Sequence, residues 1–375
     1  MEFVNEIVTF VRRVPPALQW RTARRLQPIQ RSSARRELSS RIVRLQRGAR
    51  PHSNRAKAGR PLVLRFANAH GSQLQELRWF QEAVEVASSG DVRIEFVNLW
   101  TTADNQREET ATMLDVTKGR ADLGWAGTRA FGCLGVRSLD PLQAPMLFPD
   151  YSSVTAACAG ELADEMLEPL ERLNLRGLVV LPGPFRKPFA FTRRLLGPRD
   201  YEGTRLRIHE SVVADVTYRS AGAAAVVLSV RQMASDPARY VDGLDIQTEA
   251  LLGWRLKGSI TYNVDLWPRT IAIAASRRTF EWLGSPEREL LTAAARHTLE
   301  RAVEHLRDQR ERDRRALPDA VNAILASPEQ VEALREKVEP AHEDLRRHPD
   351  SRAFFDRLQR IVEETMAPVP KIGAA

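Results

Sequence analysis

The 375-residue chain has only two cysteines, Cys133 and Cys158, and their spacing matches no metal motif. That excludes a disulfide-dense scaffold and a thiolate metal site. One disulfide or two buried free thiols remain open. No stretch approaches the ~18 consecutive apolar residues of a membrane span. Nor does an apolar run of roughly 7–15 residues follow a basic start, as a secretory leader requires. The G-x-S-x-G, H-E-x-x-H and P-loop patterns are absent, which removes the commonest hydrolase and nucleotide-binding readings. Seven histidines, among them His70, His209 and His297, are scattered without ligand spacing. Lysine is scarce too: six residues, with arginine supplying nearly all the positive charge.

The net charge of +8 is unevenly placed. Residues 1–60 hold 15 Lys and Arg against 3 Asp and Glu, whereas residues 61–375 hold 41 against 45. A basic tail is joined to a mildly acidic body, and an acidic body makes a poor nucleic-acid surface. The tail has neither strand alternation nor firm helical periodicity. It reads as mostly disordered, and as something other than a native leader.

From residue 61 the pattern changes. "PLVLRFANAH" alternates Leu62, Leu64 and Phe66 as a strand does. "QLQELRWFQEAVEVASSG" sets Leu77, Phe80, Val84 and Ala87 on one helical face and stops at Gly90. A strand follows over 92–97, a helix ending near Gly119, then the short buried strand of "ADLGWAG". This β-α-β-α-β rhythm predicts an α/β domain with a largely parallel sheet. A second unit brings a helix carrying Leu162, Met166, Leu170 and Leu173, which Pro169 shortens. Strands are expected at 177–181, 189–192, 204–209 and 269–276, and a helix from Ser211 to Ala221. One helix is expected from Pro286 to about Ala316, ~45 Å long at ~1.5 Å per residue. Helices near 328–338 and 350–366 close the chain. Ligands of two-lobed α/β folds bind in the cleft at the carboxyl ends of strands.

The phrases "LRFANAH", "TKGRADLGWAG", "LDPLQAPMLFPDY", "FRKPFAFTRRLLGPRDYEGTRLRIHES", "RYVDGLDIQ" and "SPERELLTAAARHTLE" occur in one order over roughly 61–340. Together they resemble the DctP-type substrate-binding proteins of TRAP transporters. The resemblance implies a two-lobed periplasmic-binding-protein-like fold (type II), with a long helix spanning both lobes. Lobe I is expected to comprise 61–184 plus about 269–308, and lobe II 185–268 plus about 309–375. It also implies a monomeric receptor outside the cytoplasmic membrane. That receptor would capture a carboxylate-containing organic compound and deliver it to TRAP membrane permease subunits, without chemistry, cofactor, metal or nucleic acid.

In that family an arginine ending the strand after a D-x-x-G-x-x-x-R run grips the ligand's carboxylate. Asp200, Gly203 and Arg207 occupy the run here. A guanidinium fork matches two carboxylate oxygens, so the chemistry fits. Arg205 is expected to face solvent. Arg186 or Lys187 matches a second family arginine, and Asn68 a polar contact after the first strand. Family members usually carry V-D-G-x-E-N-P, whereas "VDGLDIQTE" puts Ile246 where the asparagine stands. The contact is then lost or moves to Gln247 or Thr248. Trp125, Trp254 and Trp267 are candidates for an apolar pocket wall, and His209 adjoins the cleft. A ligand-sensing module or an enzyme on the same fold is the alternative reading, the former with the basic tail as its reader.

Overall fold

Two sheets organise the chain. The computed structural model describes residues 61–68, 74–97, 106–315, 317 and 321–366. The basic tail of residues 1–60 lies outside the described residues. The first sheet has the order β2-β1-β3-β11-β4, built from β1 (Leu62–Ala67), β2 (Val92–Val97), β3 (Leu123–Gly127), β4 (Leu175–Leu181) and β11 (Ile271–Ser276). Strands β1, β2 and β3 pair in parallel, while β11 runs antiparallel between β3 and β4. The second sheet runs β12-β9-β5-β8-β6-β7. Its strands are β5 (Phe185–Ala190), β6 (Arg205–Ile208), β7 (Ala224–Val227), β8 (Gly243–Ile246), β9 (Gly258–Thr261) and β12 (Val321–Ile324). The short β10 (Trp267–Pro268) pairs with β5 off that path.

The alternation of "LVLRFA" is realised: Leu62, Leu64 and Phe66 are buried. Leu77, Phe80 and Val84 of helix α1 (Gln75–Ala87) pack on them. Helix α2 (Glu108–Thr117) covers β3 through Met113 and Val116. In the second sheet Ser211 caps helix α3 (Val212–Ser220), its hydroxyl accepting from Ala214 N–H at 3.0 Å. Helix α4 (Thr248–Trp254) follows β8.

The chain crosses between the sheets at 182–184, returns at 269–270, and crosses again after residue 306. The first two crossings lie side by side, with Arg269 N–H donating to the Pro184 carbonyl at 2.9 Å. Gly183 permits this approach: a Cβ there would sit 2.5 Å from the Arg269 carbonyl oxygen.

Several sequence expectations are corrected. The single long helix is two: α5 (Ser285–Leu306) and α6 (Gln309–Arg315), parted by a turn at 307–308. The stripe Leu291, Ala294, Ala295, Ala302 and Leu306 that holds α5 on the first sheet ends there. Gln309 and Asp313 then turn into a polar cluster instead, where the Gln309 amide donates to both Glu249 and Asp313 at 3.0 Å. The helix near 328–338 runs on as α7 (Pro328–Arg347), because Val338, Ala341, His342 and Leu345 extend its buried face past Pro340. The strand expected at 189–192 begins earlier, at Phe185. The last helix, α8 (Pro349–Met366), expected in the second lobe, touches both: Phe355 packs with Ala341 and Leu345 of α7, while Leu358 and Val362 join the core around Phe131, Leu142 and Val154. Cys133 and Cys158 are both free.

Candidate functional site

The run Asp200 to Arg207 explains how one arginine is aimed. Both Leu196 N–H and Gly197 N–H donate to Asp200 Oδ2, at 2.8 and 3.0 Å, which fixes the turn leading into β6. Gly203 takes φ +69°, the left-handed turn that glycine adopts without strain. The strand then starts in register. Alternation puts Arg205 and Arg207 on one face; position along the strand separates them, with Arg205 at its exposed start paired with Asp242 at 3.2 Å and Arg207 near its carboxyl end lining the space between the sheets.

A cavity of about 420 Å³ lies there, lined from both sheets. The first contributes Trp125, Gly127 and Ile271 with Trp79 of α1; the second contributes Arg186, Arg207, Leu244, Asp245 and Ile246. The volume is typical of small-molecule sites.

The charged wall is largely self-paired. Arg186 donates to Asp245 at 3.0 Å, Arg129 to Glu109 at 2.7 Å, and Arg269 pairs with Glu76. Burial pushes the Glu76 carboxyl up, but the Arg269 charge and hydrogen bonds outweigh it and hold the group below its ordinary range. Burial lowers Arg186, and the Asp245 carboxylate offsets that only in part. Arg207 differs. Among the described residues no carboxylate pairs with it; its Nε is buried without a partner there, as are Arg129 Nε and Arg269 Nη1, and its Nη2 reaches His209 Nδ1 at 3.4 Å. Burial, then the Arg186 charge, lower its pKa to about 10, against a partial offset from Asp245. A buried guanidinium left this poorly satisfied is a site for an anion.

The residues singled out from sequence are distributed as follows. Arg207, Arg186, His209, Gln247 and Trp125 line the cavity, and Ile246 lies among them. Asn68 does not. It is buried behind Trp125, whose indole N–H donates to Asn68 Oδ1 at 3.1 Å, so its carbonyl positions the ring. Lys187 is resolved from Arg186 by strand alternation: its ammonium pairs with Asp265 and donates to the Tyr262 carbonyl at 2.8 Å. Trp254 lines the cavity, whereas Trp267 is core, packed edge-on against Tyr218. Arg129, Glu109, Arg269, Glu76 and Met233 were missed. Arg129 had one available signal: "GTR" closes a buried strand, at the end where ligands of such sheets sit. Nothing local marks the others.

A latch closes one side. Glu210, just past β6, accepts from Thr110 Oγ1 of α2 at 2.8 Å and faces Arg107 Nε at 3.4 Å. It joins elements of the two sheets beside the cavity.

Residues 65–348 match the model of the bacterial extracellular solute-binding proteins, family 7 (DctP). The C4-dicarboxylate-binding periplasmic protein DctP of Rhodobacter capsulatus is 24% identical over 177 residues, which cover 46% of this chain and 51% of that protein. The chain thus aligns with about half the length of that curated relative. Among solved structures, a sugar-acid-binding protein from Advenella mimigardefordensis, in complex with galactonate, superposes with a TM-score of 0.69 at 19% identity. The match covers 81% of this chain and 99% of that one. The periplasmic ectoine-binding protein of the TeaABC TRAP transporter of Halomonas elongata gives 0.70 at 16% identity, covering 80% and 99%. At such identities the likeness establishes the two-lobed fold. With three quarters of its length matched by the family model, the chain belongs to family 7 of the bacterial extracellular solute-binding proteins, the DctP family.

Proposed function

We propose that the protein is the receptor of a TRAP-type uptake system. It binds a carboxylate-containing organic compound between its lobes, outside the cytoplasmic membrane, and hands it to membrane permease subunits. The observation that carries this reading is Arg207: a guanidinium lining the cavity, with a buried Nε that no group among the described residues satisfies. A bound carboxylate supplies the missing counter-charge, and Arg186 beside it adds to the local positive field. The relatives described above, which carry C4-dicarboxylate, galactonate and ectoine in their names, support an acidic or zwitterionic small solute.

The lobes of the proposal are the two sheets with their helices. Residues 61–184 and about 269–308 form the first, and 185–268 with about 309–348 the second. The helix Pro349–Met366 bridges the two, with Leu358 and Val362 in the first lobe's core and Phe355 against Ala341 and Leu345 of α7. Closure follows from differential contacts. A ligand held by Arg207 on β6 and touching Trp125 on β3 stabilises only the closed arrangement, in which the Thr110–Glu210 latch also forms. Among the described residues no helix is long and apolar enough to cross a membrane.

Differential scanning fluorimetry of the full chain against small organic acids tests the proposal. A ligand at 100 times its Kd adds about 2.7 kcal/mol to stability. Neutral analogues of the same acids, such as their amides, should produce no shift. Equal shifts from acid and amide would contradict the reading.

A further inference from the structure

Beside the cavity, and sharing Glu108, Glu109, Arg129, Arg207, His209 and Leu228 with its wall, lies a niche of about 20 Å³. That is room for one water-sized group. Both lobes line it. Glu109 comes from the first turn of α2 and Arg129 from the residues just after β3, whereas Arg207 and His209 come from the end of β6. Among the described residues, two side chains of the niche keep a buried nitrogen without a partner, and both nitrogens are arginine Nε: Arg129 and Arg207. Arg269 and Asp245 also hold a buried unpartnered atom, but they line the larger cavity and not the niche.

Arg129 is fixed by its own lobe. Its Nη2 donates to Glu109 Oε1 at 2.7 Å, and Glu109 Oε2 accepts the Gly127 N–H, also at 2.7 Å. Gly127 makes the room for this: a Cβ there would lie 1.6 Å from Arg129 Nη1 and 2.9 Å from Glu109 Oε2. Any side chain at 127 therefore displaces the guanidinium. Glu109 engages Nη2 and leaves Nε as a spare donor. Burial, then the charges of Arg186 and Arg129, lower the Arg207 pKa, with Asp245 and Glu108 offsetting this in part. The two niche guanidiniums thus repel, and an anion between them relieves that. Glu210 is engaged elsewhere, by Thr110 and Arg107.

We propose that the ligand's carboxylate is gripped from both lobes, one of its oxygens entering the niche and accepting from Arg207 Nε and Arg129 Nε together. The inference rests on the carboxylate-receptor reading above and adds to it a second cation from across the cleft. A carboxylate oxygen has two lone pairs, so it can accept both bonds. One small group of the ligand is then bonded to the end of β6 and to the end of β3. It favours the closed arrangement whatever the rest of the ligand is. Arg129 is a ligand contact in this account; Glu109 and Gly127 are positioning residues.

Isothermal titration of the full chain with galactonate, succinate and acetate tests this, acetate being a carboxylate with almost no body. Arg129→Lys keeps a cation for Glu109 and removes the Nε donor. Gly127→Ala keeps every donor and displaces the guanidinium. Either should weaken every one of the three acids that the parent binds, by at least about tenfold and by a similar factor for each. The unliganded Tm of Arg129→Lys should stay unchanged. A purely structural ion pair would be preserved by lysine. Arg129→Lys binding as tightly as the parent, while Arg207→Met binds none of the acids, overturns this inference and leaves the receptor reading standing. Binding indifferent to Arg207→Met, or no binding of any of the three, overturns both.

Discussion

Replacing Arg207 by methionine should stabilise the empty protein while removing its ligand response. The guanidinium pKa is lowered from 12.5 to about 10 by burial and by the Arg186 charge. At about 1.4 kcal/mol per unit, the folded state carries a burden of roughly 3 kcal/mol at most. Water in the cavity reduces this to about 1–2 kcal/mol. The sign follows from linkage. The folded pKa of this base is depressed, so the unfolded chain holds the proton more tightly. At pH 7 the group is charged in both states and the whole burden falls on the fold; it lifts only as pH rises through about 10 and above. Methionine keeps the aliphatic stem's packing and removes the charge. Thermal denaturation at pH 7 should then show an unliganded Tm higher by about 2–4 °C. The same variant should lose two charge-assisted bonds to a bound carboxylate, each worth about 1.5–3 kcal/mol, and so bind at least about a hundredfold more weakly. A variant that melts several degrees lower, or still responds to the acid, would show that Arg207 is a structural cation.

Three further outcomes are expected. Glu210→Ala removes the Thr110 and Arg107 contacts without touching the cavity's main lining. It should weaken ligand binding about three- to tenfold by favouring the open form, with the unliganded Tm nearly unchanged; an unaltered Kd in calorimetry would exclude the latch. Burial lowers the pKa of His342 despite the Pro145 carbonyl at 2.8 Å and the Glu339 carboxylate, and leaves it below the ordinary imidazole range. The unfolded chain protonates first, so stability should fall as pH drops below about 6.5, and His342→Gln should flatten that slope in urea denaturation at pH 7.5 and 5.5. Burial pushes the Cys158 thiol up to about 12 and raises Cys133 as well. Both should resist thiol reagents in the native chain and react after unfolding, whereas a protected pair in the unfolded, unreduced protein would reveal a disulfide.

What could be read from the sequence followed from short-range physics. Alternation at Leu62, Leu64 and Phe66, the face of Leu77, Phe80 and Val84, and the Ser211 cap each depend on residues a few positions apart. Arg207 was legible through the family resemblance, which matches Asp200, Gly203 and Arg207 to one run; the strand pattern alone leaves it equivalent to Arg205. The remainder was decided across the cleft. Arg186 and Lys187 are equivalent cations in sequence; only their antiparallel partners, Asp245 on β8 and Asp265 beyond β9, separate them. Asn68 looked like a ligand contact and instead steadies Trp125, 57 positions away. The Arg269–Glu76 pair spans 193 positions and had no local signal. The break at 307–308 was hidden because "RDQRERDRR" is rich in the helix formers Arg, Gln and Glu, and what stops α5 there is the end of its packing stripe.

A crystal structure of the full chain with its tightest-binding acid tests the central claim most directly. It should place both carboxylate oxygens about 2.7–2.9 Å from the Arg207 guanidinium nitrogens, with Nε satisfied. A carboxylate held elsewhere in the cavity, with Arg207 still unpartnered, would contradict it.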